Sequence, residues 1–128
     1  MFTTYNPDAV AGPHGEYSHG VDVPANARWL SLAGQVGTRA DGSVPEDVGE
    51  QCEWVFRNIF AVLDAAGMGP EHLVTMTSYL TSQDYWLAYR DAKARMIGDA
   101  RPSSTLLVIP ALALPEWKVE ITAWAAIP

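Results

Sequence analysis

Cysteine is almost absent. The chain has only Cys52, so no intrachain disulfide can form and the fold must rest on a packed core. A lone cysteine fits a reducing compartment, and a cytoplasmic location is expected. Cations are also scarce. Eight Lys and Arg stand against fifteen Asp and Glu, for a formal net charge of −7. The basic residues are scattered, whereas a nucleic-acid partner requires clustered cations to displace counterions, so none is expected. Every long apolar run is broken within a few residues by charge, Pro or Gly, which argues against a membrane-crossing helix and a membrane partner. The start lacks the basic, apolar, small-residue succession of a secretory signal. Also missing are internal repeats, low-complexity tracts, phosphate-binding glycine patterns and a nucleophile elbow. His14 and His19 have no third ligand at a sensible spacing and His72 stands alone, so a metal site is not expected.

What remains is a chain of 128 residues with 48% apolar side chains, enough for one domain over residues 1–128 that buries roughly two-thirds of its unfolded surface. Asn6 to Glu16, with Pro7, Gly12, Pro13 and Gly15, reads as an irregular loop. Tyr17–Val23 and Trp29–Gly34 read as strands around the turn Pro24-Ala25-Asn26, and Asp41-Gly42-Ser43 as a second turn. Val48, Cys52, Val55, Phe56, Ile59, Val62, Leu63 and Ala66 make one helical stripe. A capping box of Ser43 with Glu46, Pro45 in the first turn and Gly67 at the stop complete the predicted helix. Leu73–Ser82 is Thr-, Val- and Tyr-rich and reads as a strand. Val74, Met76 and Leu80 share one face, and Thr75, Thr77, Tyr79 and Thr81 the other. A second helix is predicted over Asp84–Ile97, followed by strands Ser103–Ile109 and Trp117–Ala125.

This order predicts a two-layer α+β domain with two helices on one face of the sheet. Two helices leave the other face to water or a second subunit. Lys118, Glu120, Thr122 and Trp124 are expected on one side of the last strand. An aromatic beside a carboxylate there suggests an interface holding a polar pocket.

Five segments in register resemble one family. They are Tyr17-Ser18-His19-Gly20-Val21, Ala33-Gly34-Gln35, the run from Asn58 to Gly67, Pro102-Ser103, and Val119-Glu120-Ile121. Together they look like the RidA/YjgF family, the reactive-intermediate deaminases formerly called endoribonuclease L-PSP. The resemblance implies a chorismate-mutase-like α+β subunit with an about six-stranded mixed sheet, assembled as a homotrimer with small-molecule clefts between subunits. It also implies cofactor-independent hydrolysis of 2-imino or enamino acids to 2-keto acids and ammonia.

Carried over by position, Glu120 is the catalytic glutamate and Tyr17 the site tyrosine. Ala33 stands where many members have serine, beside Gly34; Tyr89 where many have asparagine; and Leu106 where many have cysteine. Ser104 takes the place of the arginine that grips the substrate carboxylate, with Thr105 beside it. A hydroxyl cannot reproduce the bidentate grip of a guanidinium, so the usual 2-imino acid substrate is in question. Arg101 is the candidate replacement, or else a solvated loop charge. Trp86 and Trp117 either line the cleft or pack in core and interface. Glu120 is read either as general acid or base or as a structural ion-pair partner, and Tyr17 as ligand contact or packing residue. Ser104 and Thr105 either offer donors to an anion or serve as ordinary strand formers. Cys52 reads as inert core. Two functions follow: hydrolysis of an imine, enamine or related metabolite, or a non-catalytic small-ligand module. A ribonuclease reading is disfavoured by the acidic balance.

Overall fold

The apolar stripe after Asp47 forms helix α1, Val48–Ala65, in the computed structural model, which describes residues 2–128. Cys52, Val55, Phe56, Ile59 and Leu63 along it are wholly buried. Its start corrects the expected capping box. Asp47 is the N-cap, its carboxylate accepting the Glu50 N–H at 2.9 Å, and Pro45 lies outside the helix. Ser43 instead donates its hydroxyl to Asp41 at 2.6 Å within the preceding turn. A carboxylate caps as well as a hydroxyl and also meets the positive end of the helix dipole, which favours Asp47. Gly67, at φ 73°, supplies the left-handed stop.

Among the described residues six strands accompany it: β1 (Thr3–Tyr5), β2 (Gly20–Asp22), β3 (Arg28–Val36), β4 (Leu73–Leu80), β5 (Ser103–Val108) and β6 (Val119–Ile127). Helix α2, Trp86–Met96, is shorter than predicted because a 3-10 turn over Gln83–Tyr85, capped by Ser82, precedes it. The main sheet has the order β3-β6-β4-β5. Strands β4 and β5 run parallel, and the other two pairings are antiparallel. A parallel neighbour requires a crossover, which α2 provides. The six strands do not form one continuous sheet. β1 and β2 make a separate ribbon, attached to β5 through a single parallel bridge between Ser18 and Ser103. The Ser18 N–H donates to the Pro102 carbonyl at 3.1 Å, after which the chain leaves to pair with β1, so the expected strand from Tyr17 shortens to Gly20–Asp22.

Both helices cover the face carrying Leu32, Met76, Ser78, Leu80, Ile121 and Ala123, all buried. Alternation in β4 follows the predicted division, with Thr75, Thr77 and Tyr79 on the opposite face beside Trp124, Thr122 and Glu120 of β6. That face lacks a covering layer. Trp29 and Trp124 stand edge to face at 6.2 Å and are 50% and 48% exposed. The last strand starts later than predicted, so Lys118 is not on this face. Its N–H donates to the Gln51 Oε1 at 2.9 Å and its ammonium to the Glu46 carbonyl. Gln51 also donates to the carbonyls of Pro45 (2.8 Å) and Glu116 (2.9 Å), joining α1 to the loop before β6. Among the described residues no helix is long and apolar enough to cross a membrane.

Candidate functional site

The N-terminal loop folds against α2 and the start of β5, leaving a cleft of about 190 Å³. The loop is held by polar contacts. The His19 N–H donates to Asn6 at 2.8 Å, the His19 ring pairs with the Ala11 carbonyl at 2.7 Å, and the His14 N–H donates to the Tyr17 hydroxyl at 3.2 Å. Of the residues expected at the site, Tyr17, Trp86, Tyr89, Ser104 and Leu106 line this cleft.

Tyr89 is only 4% exposed, and its hydroxyl lies 2.7 Å from that of Ser78. Burial pushes its phenol above the usual tyrosine value, while the Ser78 and Ser104 hydroxyls pull the other way. One helical turn further on stands Lys93, which sequence reasoning missed. The residue is only 5% exposed, yet it lines the cleft. The Nζ donates to Ser104 Oγ at 3.2 Å and sits 5.7 Å from the centre of the Tyr17 ring. Desolvation lowers the amine from 10.5 to about 8; the negative charge of Glu16 opposes this and Arg101 adds to it. The available signal was spacing. Lys93 falls four residues after Tyr89 and next to Ala92, on the stripe of α2 that the fold buries.

Glu120, Thr105, Ala33 and Gly34 belong elsewhere. Register places Glu120 opposite Tyr79, and Thr105 opposite Thr77, on the uncovered face. Strand β3 is irregular between Leu32 and Gln35. There Gly34 lies so close to Glu120 that an added Cβ would stand 2.9 Å from its carboxyl carbon. The expected site therefore divides within one chain. Tyr17 and Ser104 lie on the helix side of the sheet, and Glu120 on the far side.

Arg101 does not enter the cleft. Its guanidinium donates to the carbonyls of Gly98 and Ala100, both at 2.7 Å. It lines a larger cavity of about 580 Å³ between the β1–β2 ribbon, the Pro70–His72 turn and the end of α2. Trp117 lines neither cavity; its N–H donates to the Leu114 carbonyl at 3.2 Å. Cys52 is wholly buried, and burial pushes its thiol up to about 12, far from thiolate chemistry at neutral pH. His72 is likewise structural, its Nδ1 accepting the Gly69 N–H at 2.9 Å. Among the described residues no three His, Cys, Asp or Glu side chains are grouped to hold a metal ion.

A two-layer α+β subunit with one bare sheet face and a cleft beneath its N-terminal loop defines the YjgF-type class. The chain belongs to the RidA/YjgF family: the Endoribonuclease L-PSP family model matches residues 8–127. A RutC family protein of Aquifex aeolicus is 36% identical over 70 residues, 54% of each chain, so the match spans about half that relative's length. The Rid family protein YyfB of Yersinia pestis superposes with a TM-score of 0.88 at 29% identity, covering 98% of both chains. A Thermotoga maritima protein described as a putative endoribonuclease gives 0.74 at 26% identity, over 100% of this chain and 99% of its own.

Proposed function

We infer that the protein hydrolyses an imine, enamine or related reactive small molecule to a carbonyl compound and ammonia, in a site completed between copies of the chain. The observation that supports this is the division of the site. The ligand-contacting group of Tyr17, Tyr89, Ser104 and Leu106 faces a cleft, while Glu120 and Gly34 occupy a sheet face with two exposed tryptophans. An uncovered sheet face that carries exposed aromatics is suited to an interface. A homotrimer, the assembly the family resemblance implies, would bring Glu120 of one copy toward the cleft of the next.

In this reading Glu120 takes a proton from water as the oxygen adds to the C=N carbon. The N–H groups near Leu106 and Gly34 stabilise the charge that develops, and Glu120 hands its proton to the nitrogen. The intermediate collapses as the hydroxyl proton also moves to nitrogen, the C=O forms and the C–N bond breaks to release ammonia. Tyr17 orients the ligand by its hydroxyl and ring. No cofactor or metal takes part.

The test generates 2-imino acids from a panel of amino acids with an amino-acid oxidase and follows their loss by semicarbazide trapping. Faster loss with the protein, abolished by Glu120→Gln while light scattering still reports the assembly, is the expected result. Unchanged loss across the panel argues against hydrolysis of this substrate class. A second reading, a non-catalytic ligand module, is favoured by one observation. The residue at the arginine position is Ser104, and Arg101 is tied to its own turn. Thermal stabilisation by a ligand that is never converted would select that reading. A ribonuclease activity is not proposed, because a net charge of −7 opposes RNA.

A further inference from the structure

Lys93 lines the cleft but has no part in the proposed reaction, and its setting is unusual for a lysine. Ammonium groups are almost never this buried without a carboxylate partner. Here the Nζ has a neutral hydroxyl, Ser104 Oγ at 3.2 Å, and an aromatic face, Tyr17 at 5.7 Å. Within the same space stand the rings of Trp86 and Tyr89 and the side chain of Leu106. The charged and titratable groups around it are His14, Glu16 and Tyr17 from the loop, Tyr89 and Arg90 from α2, and Arg101 from the turn before β5. Of these Glu16 alone brings negative charge, and no ion pair joins it to Lys93.

We propose that Lys93 is a carbonyl-capturing amine, and that the cleft takes an aldehyde or ketone with a flat apolar body and holds it as a Schiff base on Nζ. The cavity of about 190 Å³ suits a small molecule, and the aromatic walls favour an unsaturated one. In the step itself the Nζ lone pair adds to the carbonyl carbon, and the C=O π pair moves to oxygen, which takes up a proton. The added nitrogen, which holds two protons, passes one of them to that oxygen, and its freed lone pair expels the oxygen as water. The product is a C=N bond to Nζ that carries one proton, so one water leaves and one proton is taken up. That proton comes from solvent, and Glu16, which lines the cleft, supplies negative charge that favours the cationic product. Capture needs the neutral amine. Lowering the amine from 10.5 to about 8 raises the neutral fraction at pH 7 by about 300-fold, supporting what the geometry indicates.

The inference uses the same cleft as the proposed hydrolysis but does not depend on it. Its test exploits Lys118, the chain's other lysine, as an internal control, because that ammonium donates to the Glu46 carbonyl outside the cleft. The native protein is incubated with benzaldehyde, and separately with 2-oxobutanoate, in the presence of sodium cyanoborohydride, then mapped by peptide mass spectrometry. Reduced adduct on Lys93 at about tenfold or more over Lys118, falling to parity in urea, is the expected result for an activated amine. Lys93→Arg keeps the cation and is expected to lose the adduct with Lys118 labelling unchanged. Equal labelling of the two lysines in the native protein, or none at Lys93 with either probe, overturns the proposal. Imine turnover is measured on the same protein preparation before cyanoborohydride is added. Labelling without turnover sinks the hydrolysis and leaves the capture standing, and turnover without labelling does the reverse.

Discussion

Lys93 of α2 donates to Ser104 of β5 at 3.2 Å, so a cation reaches the residue that the family resemblance aligns with a carboxylate-binding arginine. The two sit on different elements, brought together because α2 is the crossover between β4 and β5. Burial of this amine has a measurable cost.

Lys93 titrates near 8 in the folded chain against an ordinary 10.5. Between those values the unfolded chain binds more protons, so this group makes stability rise with pH. Cys52 acts oppositely from pH 9 upward, its thiol being raised from 9.0 to about 12, so the effect is best read by difference. Lys93→Met is expected to be more stable than the parent at pH 7, by roughly 1–3 kcal/mol, with the gap closing toward pH 10. Urea denaturation at several pH values checks this. A gap that stays constant would show that the amine is not desolvated.

Gly34→Ala probes the opposite face. The new Cβ would stand 2.9 Å from the Glu120 carboxyl carbon and from Oε2. The carboxylate is the far end of a flexible side chain, so it moves and the fold persists, with a stability loss of less than about 1 kcal/mol. Turnover, if Glu120 activates water, is expected to fall about a hundredfold from so small a displacement. Kinetics beside thermal melts separate the two effects, and full activity in Gly34→Ala would remove Glu120 from the reaction.

Gln51 tests the buried polar core. It is wholly inaccessible and makes three hydrogen bonds, to Pro45, Glu116 and Lys118. Gln51→Leu leaves two carbonyls and an N–H without their partner and is expected to cost about 2–4 kcal/mol in urea unfolding. Gly37→Ala is expected to be comparably harmful, because its Cβ would meet the Gln51 Cα at 2.6 Å, where only backbone movement gives relief. A loss below about 0.5 kcal/mol for Gln51→Leu would mean that water replaces these bonds.

Trp124→Lys addresses assembly. The ring is 48% exposed in the single chain, so its loss is expected to change monomer stability by at most about 1 kcal/mol. Replacing this exposed aromatic with a charge is expected to convert the assembly to monomers by light scattering, with imine turnover lost in parallel. An unchanged assembly would locate the interface elsewhere.

Sequence reasoning was strongest where side-chain periodicity is enforced by burial. The stripe of α1 and the alternation of β4 are read directly, because each residue's face follows from helical or strand spacing. It was weaker at boundaries. Ser43 and Glu46 fit the capping pattern, yet Asp47 with Glu50 competes three residues later, and local pattern alone does not rank them. Strand β1 went unseen because Thr3-Thr4-Tyr5 is exposed and extended only through its pairing with Gly20–Asp22. Lys93 stayed hidden for a related reason. A charged residue on a weakly amphipathic helix reads as solvated until the N-terminal loop closes over it.

The sequence by itself determined the family, the two-layer class, the main helix and the strand alternation, all of which rest on local periodicity and short segments in register. Only the tertiary structure decided that the expected site falls into two groups on opposite faces of the sheet, that Arg101 stays with its own turn, and that Lys93 fills the cleft. Those outcomes depend on which strands become neighbours and which loop covers which helix. Such contacts join residues far apart along the chain, and no local spacing encodes them.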